Sequence, residues 1–319
     1  MSKKNFFVKK GFCQESANDV IEFVRKGMGF MKFVTAKHGE RVFVGVVLEQ
    51  MNMVVDLPKA DETIPNVMLD CIALGDLFIH KVEQLLRTPK EEWMYRLENV
   101  QLLAPIPRPS KNIFCIGKNY ADHAAEMGSV ADRENMIVFS KAPTTVIGHE
   151  EPILRHEDVT GQLDYEGELA VVIGKKGKAI EKERALEYVF GYTIINDVTA
   201  RDLQERHKQY LLGKSLDSSC PMGPWIVHRS AISNPNSLRI ETKVNGEVRQ
   251  HASTEQFIFK IETIISTISK GMTLEPGDII ATGTPAGVGK GMNPPRFLQS
   301  GDVIEITVEN IGTLRNRVQ

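Results

Sequence analysis

The chain has only four cysteines, Cys13, Cys71, Cys115 and Cys220, and no two of them form a CxxC pair. This argues against a cysteine zinc site and a disulfide framework, and it fits a reducing compartment, so the cytoplasm is the expected location. No apolar run is long enough to span a bilayer, and the N-terminal stretch lacks the apolar core of a signal peptide. Neither sign of charge is in excess: 39 Lys and Arg stand against 41 Asp and Glu, with a pI near 6.5. Without a basic block, nucleic acid is not an expected partner. The GxxxxGK[ST] spacing of a phosphate loop is missing, and no GxGxxG leads from a strand into a helix, so the case for nucleotide binding is weak. There is no repeat and no low-complexity tract. A hydrophobic content of 42% and a charged content of 25% then describe an ordinary globular chain.

At 319 residues the chain can hold one large domain or two modest ones. Residues 1–30 mix Lys and Phe with a short amphipathic stretch from Asn18 to Lys26. They read either as an appended segment, or an upstream start, or as a helix docking on the body. Residues 31–104 read as a small unit rich in short strands, with a hairpin formed by Arg41–Leu48 and Met53–Leu57 and a helical stretch over Val67–Leu86. Pro105, Pro107 and Pro109 interrupt any regular element and mark a boundary. Beyond it, at 105–319, strands outnumber helices. Asn245-Gly246 signals a two-residue hairpin turn, and one helix is expected over Ser253–Ser269. The expected class is α+β and mostly β, a β-rich catalytic domain behind the small N-terminal domain.

The most informative stretch is Leu163-Asp164-Tyr165-Glu166-Gly167-Glu168, followed by the apolar run Leu169–Ile173. Side chains alternate along a strand, so Asp164, Glu166 and Glu168 point to one face. Stacked carboxylates beside an apolar run are costly unless a cation or protons neutralise them. A further acid, Asp197, closes the apolar segment Phe190–Asn196. All-oxygen ligation suits Mg2+ or Mn2+ rather than zinc; the spacing alone also fits a solvated polar face. His123 and Glu126 are three apart on a short helix closed by Gly128, so the Glu is placed to fix the imidazole tautomer, as a surface pair would also be. Lys214 sits among small neighbours; beside a carboxylate-ligated metal it would offer positive charge to a developing enolate, and by itself it also reads as a solvated surface lysine. Ala281–Gly289 is a Gly/Thr-rich turn whose N–H groups and hydroxyls suit a carboxylate. The polar segment Gly128–Asn135, next to the dyad, is expected to act as a lid.

Six motifs in this order resemble the fumarylacetoacetate hydrolase superfamily: GKNYADHAAEMG (117–128), DYEGELAVVIG (164–174), GYTIINDVTARDLQ (191–204), GKSLDSSCPMGP (213–224), KVNGEVRQ (243–250) and LEPGDIIATGTPAGVG (274–289). The resemblance spans roughly residues 105–312 and is strongest to the bacterial branch that acts on oxaloacetate and acylpyruvates. It implies a mixed β-roll catalytic domain assembled as a homodimer. It also implies Glu166, Glu168 and Asp197 as ligands of Mg2+ or Mn2+, with Asp164 left out of the set. His123 and Glu126 become the catalytic pair, Lys214 the active-site lysine, and Gln204 and Thr284 substrate contacts. Lys118 stands where relatives often carry arginine, and its contact to a substrate carboxylate is correspondingly weaker in geometry.

The implied activity is cleavage of a C–C bond in a small 2-oxo acid through a chelated pyruvate enolate, by a lyase (oxaloacetate decarboxylase) or a hydrolase of acylpyruvate or fumarylpyruvate. An isomerase or hydratase acting on 2-hydroxymuconate-type diacids would use the same enolate with all carbons retained. A binding or scaffolding protein on this fold would have no need of the acids, the histidine and the lysine.

Overall fold

Short β-branched runs separated by turn residues become strands throughout residues 31–319, the part of the chain described by a computed structural model. The alternatives for residues 1–30 lie outside the described residues. The strands are β1 (Lys32–His38), β2 (Arg41–Leu48), β3 (Met53–Asp56), β4 (Met94–Arg96), β5 (Gln101–Leu102), β6 (Ile113–Gly117), β7 (Ile137–Lys141), β8 (Val146–Ile147) and β9 (Leu163–Asp164). They continue with β10 (Gly167–Ile173), β11 (Val189–Asn196), β12 (Thr199–Ala200), β13 (Cys220–His228), β14 (Arg239–Val244), β15 (Glu247–Ser253), β16 (Ile279–Ala281), β17 (Val303–Val308) and β18 (Gly312–Arg317).

The larger sheet has 12 strands in the order β4-β3-β2-β1-β13-β11-β10-β16-β6-β7, with β5 on β1 and β8 on β13. β6–β16 and β8–β13 run parallel and the other pairs antiparallel, so the sheet is mixed. The expected hairpin forms, with Leu48 opposite Met53. The strands of residues 31–104 join those of the rest through β1 against β13. A second sheet, β15-β14-β17-β18, shares a core with the first: Ile240, Ile304 and Leu314 join Leu169, Tyr192 and Ile194. The fold is thus mostly β with few helices, as the resemblance implies.

Two expected helices differ in extent. The stretch over Val67–Leu86 is two helices, Met68–Ala73 and Asp76–Leu86. Between them Gly75 takes φ +57°, a left-handed conformation that ends one helix and turns the chain into the next. The stretch over Ser253–Ser269 is a short 3-10 turn at Thr254–Gln256, capped by Ser253, and an α-helix only from Ile261. Ahead of it, Ile258 N–H donates to Asn119 O (2.8 Å) and Phe259 N–H to Asn119 Oδ1 (2.7 Å). Those donors are thereby taken by tertiary pairing. Asn245-Gly246 forms the expected tight turn, both residues at positive φ.

Asn119 ties the end of β6 to two other segments. Its Nδ2 donates to Thr282 O (2.8 Å) and Phe259 O (3.1 Å), and the side chain is fully buried. Asn119→Ala would leave those carbonyls and the Phe259 N–H buried without partners. It is expected to destabilise the protein by about 3 kcal/mol, measured by urea unfolding; a loss below about 1 kcal/mol would show that the three bonds are dispensable.

Candidate active site

The site is assembled by strand register. Gly167 pairs with Asn196 and Glu168 with Ile195 across β10–β11. One step further the ladder is carried by Asp197 N–H donating to Glu166 O (2.8 Å), which sets Asp197 beside Glu166. The pairing resumes as β9–β12, with Asp164 opposite Thr199. Tyr165 and Glu166 lie between the two ladders. There the strict alternation assumed for 164–168 is broken, and the three acids diverge to different partners.

Asp164 turns away from the other two. It accepts from the backbone N–H groups of Gly289 (2.8 Å) and Lys290 (3.0 Å) and from Arg201 Nε (2.9 Å). Its work is structural: it fixes the 289–290 turn and orients Arg201. Glu166, Glu168 and Asp197 stay together, all buried, with one ligand oxygen or more of each within 4.8 Å of the others. Among the described residues this is the one such cluster of acids.

Buried carboxylates need buried cations. Lys214 Nζ donates to Glu166 Oε2 (2.7 Å) and Asp197 Oδ2 (2.8 Å). Arg201 Nη1 lies 2.7 Å from Glu166 Oε1, and Lys141 Nζ 2.8 Å from Asp197 Oδ1. Burial alone would raise Glu166, but Lys214, Arg201 and His123 overcome it and hold the carboxyl down at about 2. Lys214 is desolvated too, yet Asp197 and Glu166 keep it well above the usual lysine value, so it remains an ammonium. Glu168 is different. Its side chain accepts from Gly283 N–H (2.7 Å), and burial with the charges of Asp197 and Glu166 pushes it well above the carboxylate range.

This donor set fits a divalent cation. One acid is driven toward its neutral form by the other two, which a shared cation would reverse. Asp197 Oδ1 is also buried without a hydrogen-bond donor, Lys141 approaching it off the hydrogen-bonding direction. All the offered atoms are oxygens, as Mg2+ and Mn2+ prefer.

The His123–Glu126 contact expected from their spacing forms. His123 and Glu126 belong to the helix Ala121–Glu126, and His123 Nδ1 lies 2.7 Å from Glu126 Oε1. Glu126 Oε2 in turn accepts from Gly287 N–H at 2.8 Å. Gly287 adopts φ +106°, and a Cβ there would run into the Arg249 carbonyl, so this contact requires glycine.

A cavity of about 610 Å³ gathers the pieces, with Lys118, His123, Glu126, Glu166, Glu168, Gln204, Lys214 and Thr284 all in its lining. Parallel β6 and β16 deliver their C-terminal loops, 117–120 and 282–284, to the same edge. Lys118 holds φ +55°, an unusual conformation for lysine, at the exit of β6. Gln204 turns its carbonyl to Arg201 Nη1 (3.1 Å), so the NH2 end is what it offers. Thr284 donates its hydroxyl proton to Gly167 O (3.0 Å) and accepts from Gln250 (2.8 Å), which restricts it to accepting from a ligand. Segment 128–135 lies beside the pair and is largely exposed, held by Asp132 accepting from the N–H groups of Glu134 and Asn135.

Arg201 and Lys141 were not singled out by sequence reasoning. Arg201 had a signal, since four buried acids demand cations and it lies between Asp197 and Gln204 in one motif. Lys141, at the end of an apolar strand, had none.

A mixed β fold whose cavity brings two acids of a buried carboxylate triad together with a tethered histidine is that of an enzyme, and the triad could hold a metal ion. Residues 112–319 match the family described as fumarylacetoacetate (FAA) hydrolase C-terminal, and the chain belongs to the fumarylacetoacetate hydrolase superfamily. It is 57% identical over 301 residues to oxaloacetate tautomerase YisK of Bacillus subtilis, an alignment covering 90% of this chain and 100% of that one. Among solved structures it is similar to a fumarylacetoacetate hydrolase from Exiguobacterium antarcticum, with 45% identity, TM-score 0.78, and 91% and 99% of the two chains covered. It is also similar to 5-carboxymethyl-2-hydroxymuconate delta-isomerase from Mycobacterium smegmatis, with 34% identity, TM-score 0.71, and coverage of 90% and 98%. No helix among the described residues is long and apolar enough to cross a membrane.

Because Glu168 binds its proton more tightly folded than unfolded, its share of stability is complete below the unfolded value of about 4.5 and is lost as pH rises through the folded value. In chelator at neutral pH, Glu168→Gln is therefore expected to stabilise the protein by about 1–3 kcal/mol. In saturating Mg2+ the same variant is expected to lose the stabilisation that the wild type gains. Thermal unfolding in both buffers checks this, and a variant less stable than wild type in chelator would refute the charge assignment.

Proposed function

We propose that this enzyme moves a proton at C3 of a 2-oxo diacid of the oxaloacetate type, interconverting keto and enol forms, with Mg2+ or Mn2+ as cofactor. The observation that carries the reading is one cavity lined by Glu166 and Glu168 of the buried triad and by His123 tethered to Glu126. The 57% identity to a protein named oxaloacetate tautomerase supports it.

Glu166, Glu168 and Asp197 would hold the ion, which when bound supplies Lewis acidity toward the carboxylate and 2-oxo oxygens of such a substrate. Glu126 accepts the Nδ1 proton of His123, which leaves Nε2 as the base. His123 Nε2 takes the C3 proton, the C–H electron pair forms the C2=C3 double bond, and the carbonyl π pair moves to the 2-oxo oxygen. Lys214, kept charged by Glu166 and Asp197, stabilises the negative charge that develops there. Return of the proton to oxygen gives the enol, and to C3 the keto acid. Lys118, Gln204 and Thr284 complete the substrate contacts, and segment 128–135 closes over the ligand. The chain works as a homodimer, residues 105–319 forming the catalytic domain.

A second reading is C–C cleavage from the same enolate, as oxaloacetate decarboxylation or acylpyruvate hydrolysis. The tethered His123 favours it for hydrolysis, since the same Nε2 is placed to deprotonate a water. Isomerisation of muconate-type diacids follows the first scheme with a longer substrate.

With Mg2+ and oxaloacetate, the ultraviolet absorbance of the enol is expected to relax faster with enzyme than without, and chelator is expected to abolish the acceleration. His123→Ala is expected to lower the rate by about 10²–10⁴-fold. Release of pyruvate at the rate of the absorbance change would replace tautomerisation by cleavage, and full activity of His123→Ala would remove the histidine from either scheme. With Mg2+ and oxalate, cleavage by trypsin at Arg133 is expected to slow; equal cleavage with and without the ligand would rule out closure.

A further inference from the structure

The cavity is polar in a graded way. Among its lining residues Glu166, Glu168 and Arg201 are buried, Lys118 and Lys290 are half-buried and Lys208 is exposed. Lys290 is the best placed of these cations. Its backbone N–H donates to Asp164 Oδ2 (3.0 Å), and the same carboxylate accepts from Arg201 Nε (2.9 Å). Arg201 reaches Glu166 at 2.7 Å, so Lys290 is fixed to the triad through two ion-paired residues. The backbone of Lys290 is therefore rigidly placed, while its side chain is 24% exposed.

The ammonium has one close carboxylate, Glu205, which is itself 62% exposed at the rim. A pair of this kind contributes little and is readily exchanged for another anion. Half-burial and the neighbouring Arg201 also hold Lys290 below the usual lysine value, so an arriving anion relieves an unfavourable charge.

We infer that Lys290 is a specificity-determining residue: it leaves Glu205 to bind the distal carboxylate of the substrate, and so selects dianionic over monoanionic 2-oxo acids. This rests on the reading that the triad end of the cavity takes the 2-oxo-carboxylate end of the ligand. A charged group at the far end then meets Lys290 and gains a charge-assisted hydrogen bond. A methyl group there would leave Lys290 with Glu205.

The test uses Mg2+-loaded protein and two ligands, oxaloacetate and 2-oxobutyrate, in which a methyl replaces the distal carboxylate. Titration calorimetry gives both affinities, and steady-state kinetics gives KM and kcat for oxaloacetate. Lys290→Met is expected to weaken oxaloacetate by about tenfold, the size of one charge-assisted hydrogen bond, and to leave 2-oxobutyrate within about twofold. The loss is expected in KM and not in kcat, and Lys290→Arg is expected to restore most of it. Glu205→Gln, which removes the competing carboxylate, is expected to tighten oxaloacetate only. Equal weakening of both ligands, or of neither, would overturn the assignment. Lys290-dependent binding of oxaloacetate without turnover would keep the anion site and reject the catalytic reading. Turnover with a KM indifferent to Lys290→Met would do the reverse.

Discussion

Buried charge around Glu166, Glu168 and Asp197 is the constraint on which the rest of the site depends. Placing carboxylates at the end of a central strand costs several kcal/mol each unless cations face them. The structure answers with Lys214, Arg201 and Lys141, each drawn from a different segment and each within hydrogen-bonding distance of an acid. With Asp164 counted, four buried carboxylates face three buried cations. The deficit falls on Glu168, which accepts from the Gly283 backbone N–H and, among the described residues, faces no cation of its own. That imbalance is what makes the cluster a place for a divalent ion, since a fully matched set would gain nothing from one.

The sheet converts this balance into geometry. The register of β10 against β11 places Asp197 beside Glu166, and the parallel pair β6–β16 brings two loops to the same edge. Asn119 then locks those loops to each other through Thr282 and Phe259. The Gly287 N–H reaches Glu126 only because that residue has no Cβ. Rigid elements thus hold the triad and the histidine, while exposed loops supply the outer wall where substrates would differ. Such a division lets one superfamily contain proteins named as tautomerase, hydrolase and isomerase.

Much of this was legible in the sequence. Short apolar runs between turn residues located strands, Asn245-Gly246 its hairpin, and the His123–Glu126 spacing its pair. The expected extents of two helices were wrong for specific reasons. Gly75 could break its helix because glycine alone enters the left-handed region at little cost. The residues ahead of Ile261 pair with Asn119, 140 positions away in the case of Phe259, and no local pattern records such a partner.

The sequence by itself determined the chemical inventory: oxygen ligands without thiols, a histidine within one helical turn of a carboxylate, and a lysine among small residues. Those are properties of residue type and short spacing, and short spacing fixes which side chains share a face. Residue spacing left open which acids meet; the family resemblance left Asp164 out of the set, and the tertiary structure supplies the physical reason. Asp164 looked equivalent to Glu166 and Glu168, yet the ladder breaks at Tyr165–Glu166 and turns it toward Arg201 and the 289–290 turn. Lys141, Arg201 and Lys290 likewise acquired their partners through the fold. Charge compensation acts through space over a few ångströms, and the fold brings Lys214 to Glu166 from 48 residues away.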